Sequence, residues 1–212
     1  MRSSDHHHHQ QQQQQSERLG DPSILFEDDL PAQWVLDELL PIFFDRLGDH
    51  YLCLNRAGLE KRLSNERHRV PPMLLNVMCA LAARYSTDSR IVAGRSSFRS
   101  HTFGMEFADK AKVFLAPSLS VPSRTTTLAF LMMAWHEFAC NLDSAFWMYA
   151  GLALRMAIDL GIHRQASTSG PRDMSDADFI DDALLFWAVY QMDRVLAIGS
   201  GRPTSIKDRE IT

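Results

Sequence analysis

The sequence is poor in the features that usually mark an active site. It has three cysteines, Cys53, Cys79 and Cys140, at long spacings and with no C-x-x-C pair. An odd, scattered set excludes a disulfide framework and a thiolate zinc site within this chain. The three thiols are expected to act as small core residues in a reducing compartment, cytosol or nucleus. The longest apolar run, Ala145 to Leu154, falls far short of the roughly 20 residues that a membrane-spanning helix needs. Met1 to Gln15 holds no apolar stretch, so no signal peptide is expected. Basic charge is also lacking: the net charge of −4 has the wrong sign for a chain that grips DNA along its length. No segment alternates as a β-strand should, and no period of about 34 residues marks a helical repeat.

What is present is helical. Hydrophobic residues make up 45% of the chain and charged residues 23%, as in ordinary folded domains. Residues 1–29, with His6 to His9 running into Gln10 to Gln15, read as a disordered low-complexity tail, because they cannot offset their own ordering entropy. Residues 30–212 read as one all-α domain, a bundle of about seven helices. Trp34 to Leu47 repeats at helical spacing, with Pro41 expected to break or kink it. Residues 56–69 read as a solvated loop around a short helix. Pro71 and Pro72 open a helix to about Tyr85, another runs from about Phe98 to Leu115, and Ser120 or Ser123 caps one to about Cys140. The next, to Leu160, is apolar on both faces and is expected at the centre of the bundle. Ser175 and Asp178 suggest the start of a last helix reaching about Ile198, with Phe179, Leu184, Trp187, Tyr190 and Val195 buried.

Candidate chemistry is thin. His136-Glu137 opens an H-E-x-x-H metal motif, but the second histidine is absent and Cys140 stands in its place. A metal-assisted hydrolase is the enzyme reading this would allow; a buried histidine beside a core cysteine is the structural one. Gly199-Ser200-Gly201 follows a helix, not a strand, and reads as a helix stop, not a phosphate loop. No G-x-S-x-G elbow occurs. The pairs Asp28-Asp29 and Asp181-Asp182 look solvated. Asp159, in a last helical turn where the dipole opposes it, is expected to be held by Arg155 or Arg194. No catalytic, cofactor-binding or metal-ligating residue is assigned.

Two blocks resemble a known pattern. Residues 143–164, DSAFWMYAGLALRMAIDLGIHR, resemble the A-W-x-x-x-G-x-A-x-R-M-A-x-D-L-G-L-H-R signature of the fungal-specific transcription factor domain. Residues 186–194, FWAVYQMDR, and 201–208, GRPTSIKD, resemble its W-x-x-Y-x-x-D-R and G-R-P-x-x-I-x-D elements in the same order. The resemblance implies a helical regulatory domain of a nuclear transcription factor, acting through a coactivator or a small effector. A helical-hairpin scaffold is the alternative. Zinc and DNA binding would belong to a separate N-terminal cluster of six cysteines, absent here, so the chain is expected to be a truncated product or a relative without the cluster. Arg155, Asp159, Gly161, His163, Arg164, Trp187, Asp193, Arg194, Gly201, Arg202 and Pro203 match the motif and are expected to shape the fold, with Trp187 and Tyr190 buried through their large rings and Gly161 a left-handed helix stop. Where the family pattern places an arginine shortly before Trp187, this chain has Asp181, Asp182 and Ala183.

Overall fold

The computed structural model describes residues 22–92, 104–163 and 180–207. Within them the chain is all-α, with seven helices of nine residues or more. These are α1 (Gln33–Leu47), α2 (Arg56–Glu66), α3 (Pro72–Ala82), α5 (Met105–Val113), α7 (Arg124–Ala139), α8 (Asp143–Asp159) and α9 (Asp182–Ser200). Single turns α4 (Ser89–Val92) and α6 (Leu115–Ser118) lie between them, and a hairpin of two-residue strands, β1 (Phe26–Glu27) and β2 (Leu30–Pro31), precedes α1.

Local sequence explains most boundaries. The side chains of Asn55, Ser123 and Asp181 accept hydrogen bonds from the first-turn amides of α2, α7 and α9, at Gly58, Thr126 and Leu184. Pro72 sits in the first turn of α3, where its missing N–H has no partner to lose. Gly161 and Gly201 follow α8 and α9 with φ of +69° and +67°, the left-handed stop that glycine adopts without strain.

Packing centres on α3. Every residue from Met73 to Ala82 is buried, because α1, α5 and α7 all pack on this one helix. Helix α8 lies on α7, and α9 lies across both. Asn76 is a polar group in that core, and its Nδ2 donates to the carbonyls of Asp29 and Pro72 at 3.0 and 2.9 Å. Gly104 leads into α5 with φ of +81°, and a Cβ there would stand 2.1 Å from the carbonyl oxygen of Ala80. Only glycine allows that backbone to lie on α3. At the other end, the Arg124 guanidinium clasps Asp182 with two hydrogen bonds, Nη2 to Oδ2 at 2.8 Å. Asp182 therefore ties the starts of α7 and α9 together, while Asp181 is exposed as the sequence suggests and caps α9.

Several expectations change. The folded body begins by Pro22, not residue 30, because Leu25 is buried and Phe26 packs on the core. Helix α1 runs through Pro41 unbroken; Pro41 faces solvent, where water can serve the carbonyl its ring leaves without an N–H. Residues 56–69 are mostly helix, anchored where Arg67 meets Glu27 and the Pro31 carbonyl. The centre of the bundle is α3, not α8, which leaves Trp147, Met148 and Ile158 exposed. On α9 the buried face is Leu185, Phe186, Val189, Met192 and Leu196, while Leu184, Trp187 and Val195 point outward. A helix apolar all round offers two helical stripes, and periodicity alone cannot choose between them. Residues 98–103, the Ser175–Asp178 start, Phe179 and the His/Gln tract lie outside the described residues. Among the described residues, no helix is long and apolar enough to cross a membrane.

Candidate functional site

The motif residues form a clasp on α9. The Asp193 carboxylate is buried and accepts the Ser205 N–H at 3.0 and 3.1 Å and the Ile206 N–H at 3.3 Å. From the next position, Arg194 donates to the Ile206 carbonyl at 2.8 Å and stacks on the Tyr190 ring at 4.3 Å. Gly201 reverses the chain so that residues 202–206 fold back along α9, burying Ile206. Arg202 reaches across to cover Trp147 of α8, 5.0 Å from its ring centre. Exposed Pro203 fixes one torsion of the return. The spacing of the D-R and G-R-P-x-x-I elements is thus the length of one helical return, with backbone groups of the second held by side chains of the first.

Other motif residues divide. His163 packs beside Phe186, 6.4 Å between ring centres. Arg164 lies outside the described residues. Asp159 is exposed and pairs with neither expected arginine: Arg155 donates to the Gly151 carbonyl at 3.0 Å, and Arg194 is engaged in the clasp. Trp187 is 41% exposed, edge-on to Tyr190 at 5.4 Å, because it forms the wall of an opening instead of core.

That opening is a cavity of about 520 Å³ between the end of α3, the last turns of α7, the start of α9 and the segment 47–53. Trp135, Phe138 and Leu131 form one wall, Leu184 and Trp187 the second, and Tyr51, Leu81 and Tyr85 the third. A short backbone link holds the third wall in place: Asp181 N–H donates to the Cys53 carbonyl at 2.9 Å, beside the Leu54–Ile180 bridge. Arg84, His50, Asp49 and Gln191 supply polar groups at the margin. The volume and apolar lining suit a small organic molecule. Apolar periodicity hides such a site, since its walls come from residues far apart in sequence.

Behind the cavity runs a chain of ionisable side chains. Lys112 Nζ lies 3.0 Å from Glu137 Oε1, which is 3.7 Å from His136 Nδ1. Both ring nitrogens of His136 are 4.0 Å from Cys140 Sγ, and Arg84 Nη2 donates to that sulfur at 3.1 Å. Burial alone drives the His136 ring toward neutrality, but Cys140 and Glu137 outweigh it and raise its pKa above the ordinary 6.5. Burial pushes Glu137 up, yet His136 and Lys112 bring it below 4.5. For Cys140, burial is outweighed by His136 and Arg84, and the thiol ends below its ordinary 9.0. By contrast, burial pushes Cys53 up to about 12 and raises Cys79 as well. Among the described residues, no three His, Cys, Asp or Glu side chains are placed to hold a metal ion.

With this geometry in view, similarity to known proteins is informative. The family model of the fungal specific transcription factor domain matches residues 40–212. The Zn(2)-C6 fungal-type transcription factor FTF1c of Fusarium oxysporum f. sp. lycopersici is 29% identical over 189 residues, covering 86% of this chain and 20% of the relative. FTF2 of the same fungus is 28% identical over 191 residues, covering 86% and 17%. An uncharacterized transcriptional regulatory protein of Schizosaccharomyces pombe is 26% identical over 185 residues, covering 85% and 23%. The chain thus spans about a fifth of the length of these relatives. No solved structure matches it. The match of the family model over most of the chain shows that the chain belongs to the fungal specific transcription factor domain family.

Proposed function

We propose that this chain is the regulatory part of a fungal zinc-cluster transcription factor and that it sets transcriptional output through a small apolar effector seated in the cavity. The single observation carrying this reading is that Trp187, a residue of the family motif, forms a wall of the cavity and not part of the core. A regulator needs a site whose occupancy shifts a fold between states, and a partly open aromatic cleft between helices supplies one. The reading assigns no catalytic group to the chain, places its work in the nucleus, and leaves DNA and zinc to a module of the kind named in its relatives. No cofactor is assigned to the residues of this chain.

The test fuses the full chain to a neutral DNA-binding module and measures reporter output across growth conditions, with Trp187→Ala beside it. Output that depends on condition, and loses that dependence in a variant with unchanged helical content, supports the reading. Output that is constant throughout and indifferent to Trp187 overturns it. One observation favours a protein contact in addition: Leu184, Trp187, Val195 and Ile198 form an exposed apolar stripe along α9, of the kind a coactivator helix can cover.

A further inference from the structure

The ionisable chain behind the cavity places polar side chains where the neighbouring core is apolar. A core of this kind is ordinarily filled with apolar side chains, and an ion pair there is at best a weak source of stability. Here a guanidinium and an imidazole on different elements converge on one sulfur. Arg84, which follows α3, donates to Cys140 Sγ at 3.1 Å, and His136, one turn back on α7, holds its ring 4.0 Å away. The groups facing the sulfur are Arg84, His136 and, one step behind, Glu137 with its partner Lys112. The other two cysteines have no such setting: Cys79 is sealed inside α3, and Cys53 is 2% exposed in an apolar wall. Cys140 retains 8% exposure at the end of α7, next to Ala139 and Arg84, which both line the cavity.

We propose that Cys140 is an oxidation site, a thiol held between the His136 ring and the Arg84 guanidinium and taken to the sulfenic acid by a hydroperoxide. In the step, the sulfur attacks the nearer oxygen of hydrogen peroxide; the S–O bond forms and the O–O bond breaks. Sulfur gives up two electrons, and the departing hydroxide takes the thiol's proton, held on His136, and leaves as water. Thiol and peroxide thus become sulfenic acid and water. Nucleophilicity comes from the Arg84 guanidinium at 3.1 Å and the His136 ring at 4.0 Å, which bring the thiol below its ordinary 9.0, raise its thiolate fraction and set Cys140 apart from Cys53 and Cys79. The product places an oxygen beside Arg84, so oxidation reaches a wall of the cavity without any effector being present.

The test treats the full chain with hydrogen peroxide, traps sulfenic acid with dimedone and maps the adduct by mass spectrometry. Cys140 is expected to carry label in about tenfold or greater excess over Cys53 and Cys79, which serve as controls in the same molecule. The pH profile of Cys140 alkylation by iodoacetamide is read in parallel, with Arg84→Gln as the variant. The wild-type inflection should lie below the ordinary thiol value and move up in the variant, slowing alkylation near neutral pH by about tenfold per pKa unit. Label spread evenly over the three cysteines, or a wild-type inflection at the ordinary value, overturns the proposal. The wild-type readings alone decide it should Arg84→Gln fail to fold. An effector-deaf reporter leaves these readouts untouched, so the two ideas fail separately.

Discussion

At the scale of single residues, the polar chain on α7 makes stability depend on pH from two sides. Glu137 has a depressed carboxyl, so its contribution is complete above the ordinary 4.5 and is lost as pH falls through the lower folded value. His136 behaves oppositely: its pKa is raised, so its contribution is complete below 6.5 and is lost as pH rises through the higher folded value. Glu137→Gln removes the anion that faces Lys112 and His136. The variant should lose about 1–3 kcal/mol near neutral pH and show a shallower loss toward acid. Urea midpoints taken from about pH 3 to about pH 8 measure both effects. A variant with the same acid limb as the wild type would assign that limb to other carboxylates.

At the scale of elements, α9 and its return segment act as one unit. Asp193 accepts the Ser205 and Ile206 amides, and Arg194 holds the Ile206 carbonyl, so both faces of the return peptide are fixed by adjacent side chains. Asp193→Ala leaves those amides to water and frees Ile206 from its packing. Hydrogen exchange at Ser205 and Ile206 should speed by about tenfold or more, in keeping with the loss of 1–3 kcal/mol of local hydrogen bonding. Val189, one turn nearer the middle of α9, should keep most of its protection. Equal acceleration at all three amides would mean that the clasp supports the whole helix and not only the return. The aspartate and the arginine of the motif were visible in the sequence; that they hold the G-R-P-x-x-I element was not, because the hydrogen bonds run to backbone groups that carry no side-chain signature.

For the whole molecule, burial separates substitutions that look alike on paper. Leu75 is fully buried in α3, enclosed by three packed helices, while Ile198 on α9 is 86% exposed. Leu75→Ala should cost about 2–5 kcal/mol, since it removes packing and leaves a cavity in a core with little room to collapse. Ile198→Lys should change stability by no more than about 0.5 kcal/mol and should reduce self-association by placing charge in an apolar stripe. Thermal unfolding reads the first difference and light scattering the second. Equal destabilisation by the two would contradict the assignment of α3 as the centre of the bundle.

Much of this protein was decided by local chemistry. Helical periodicity, the capping residue Ser123, the prolines before Met73 and the stops at Gly161 and Gly201 act over a few residues, so they determined the all-α class and most boundaries before any packing was known. The motif blocks were legible for the same reason. What only the tertiary structure decided is which side of each helix is inside. Helices α3, α8 and α9 are apolar nearly all round, so each offers several equivalent faces, and the choice depends on how many neighbours reach it. That choice put α3 at the centre, turned Trp187 outward into a cavity wall, and brought Arg84 against Cys140 across 56 residues of chain. A contact between elements is a property of the packed body, and no stretch of sequence contains it.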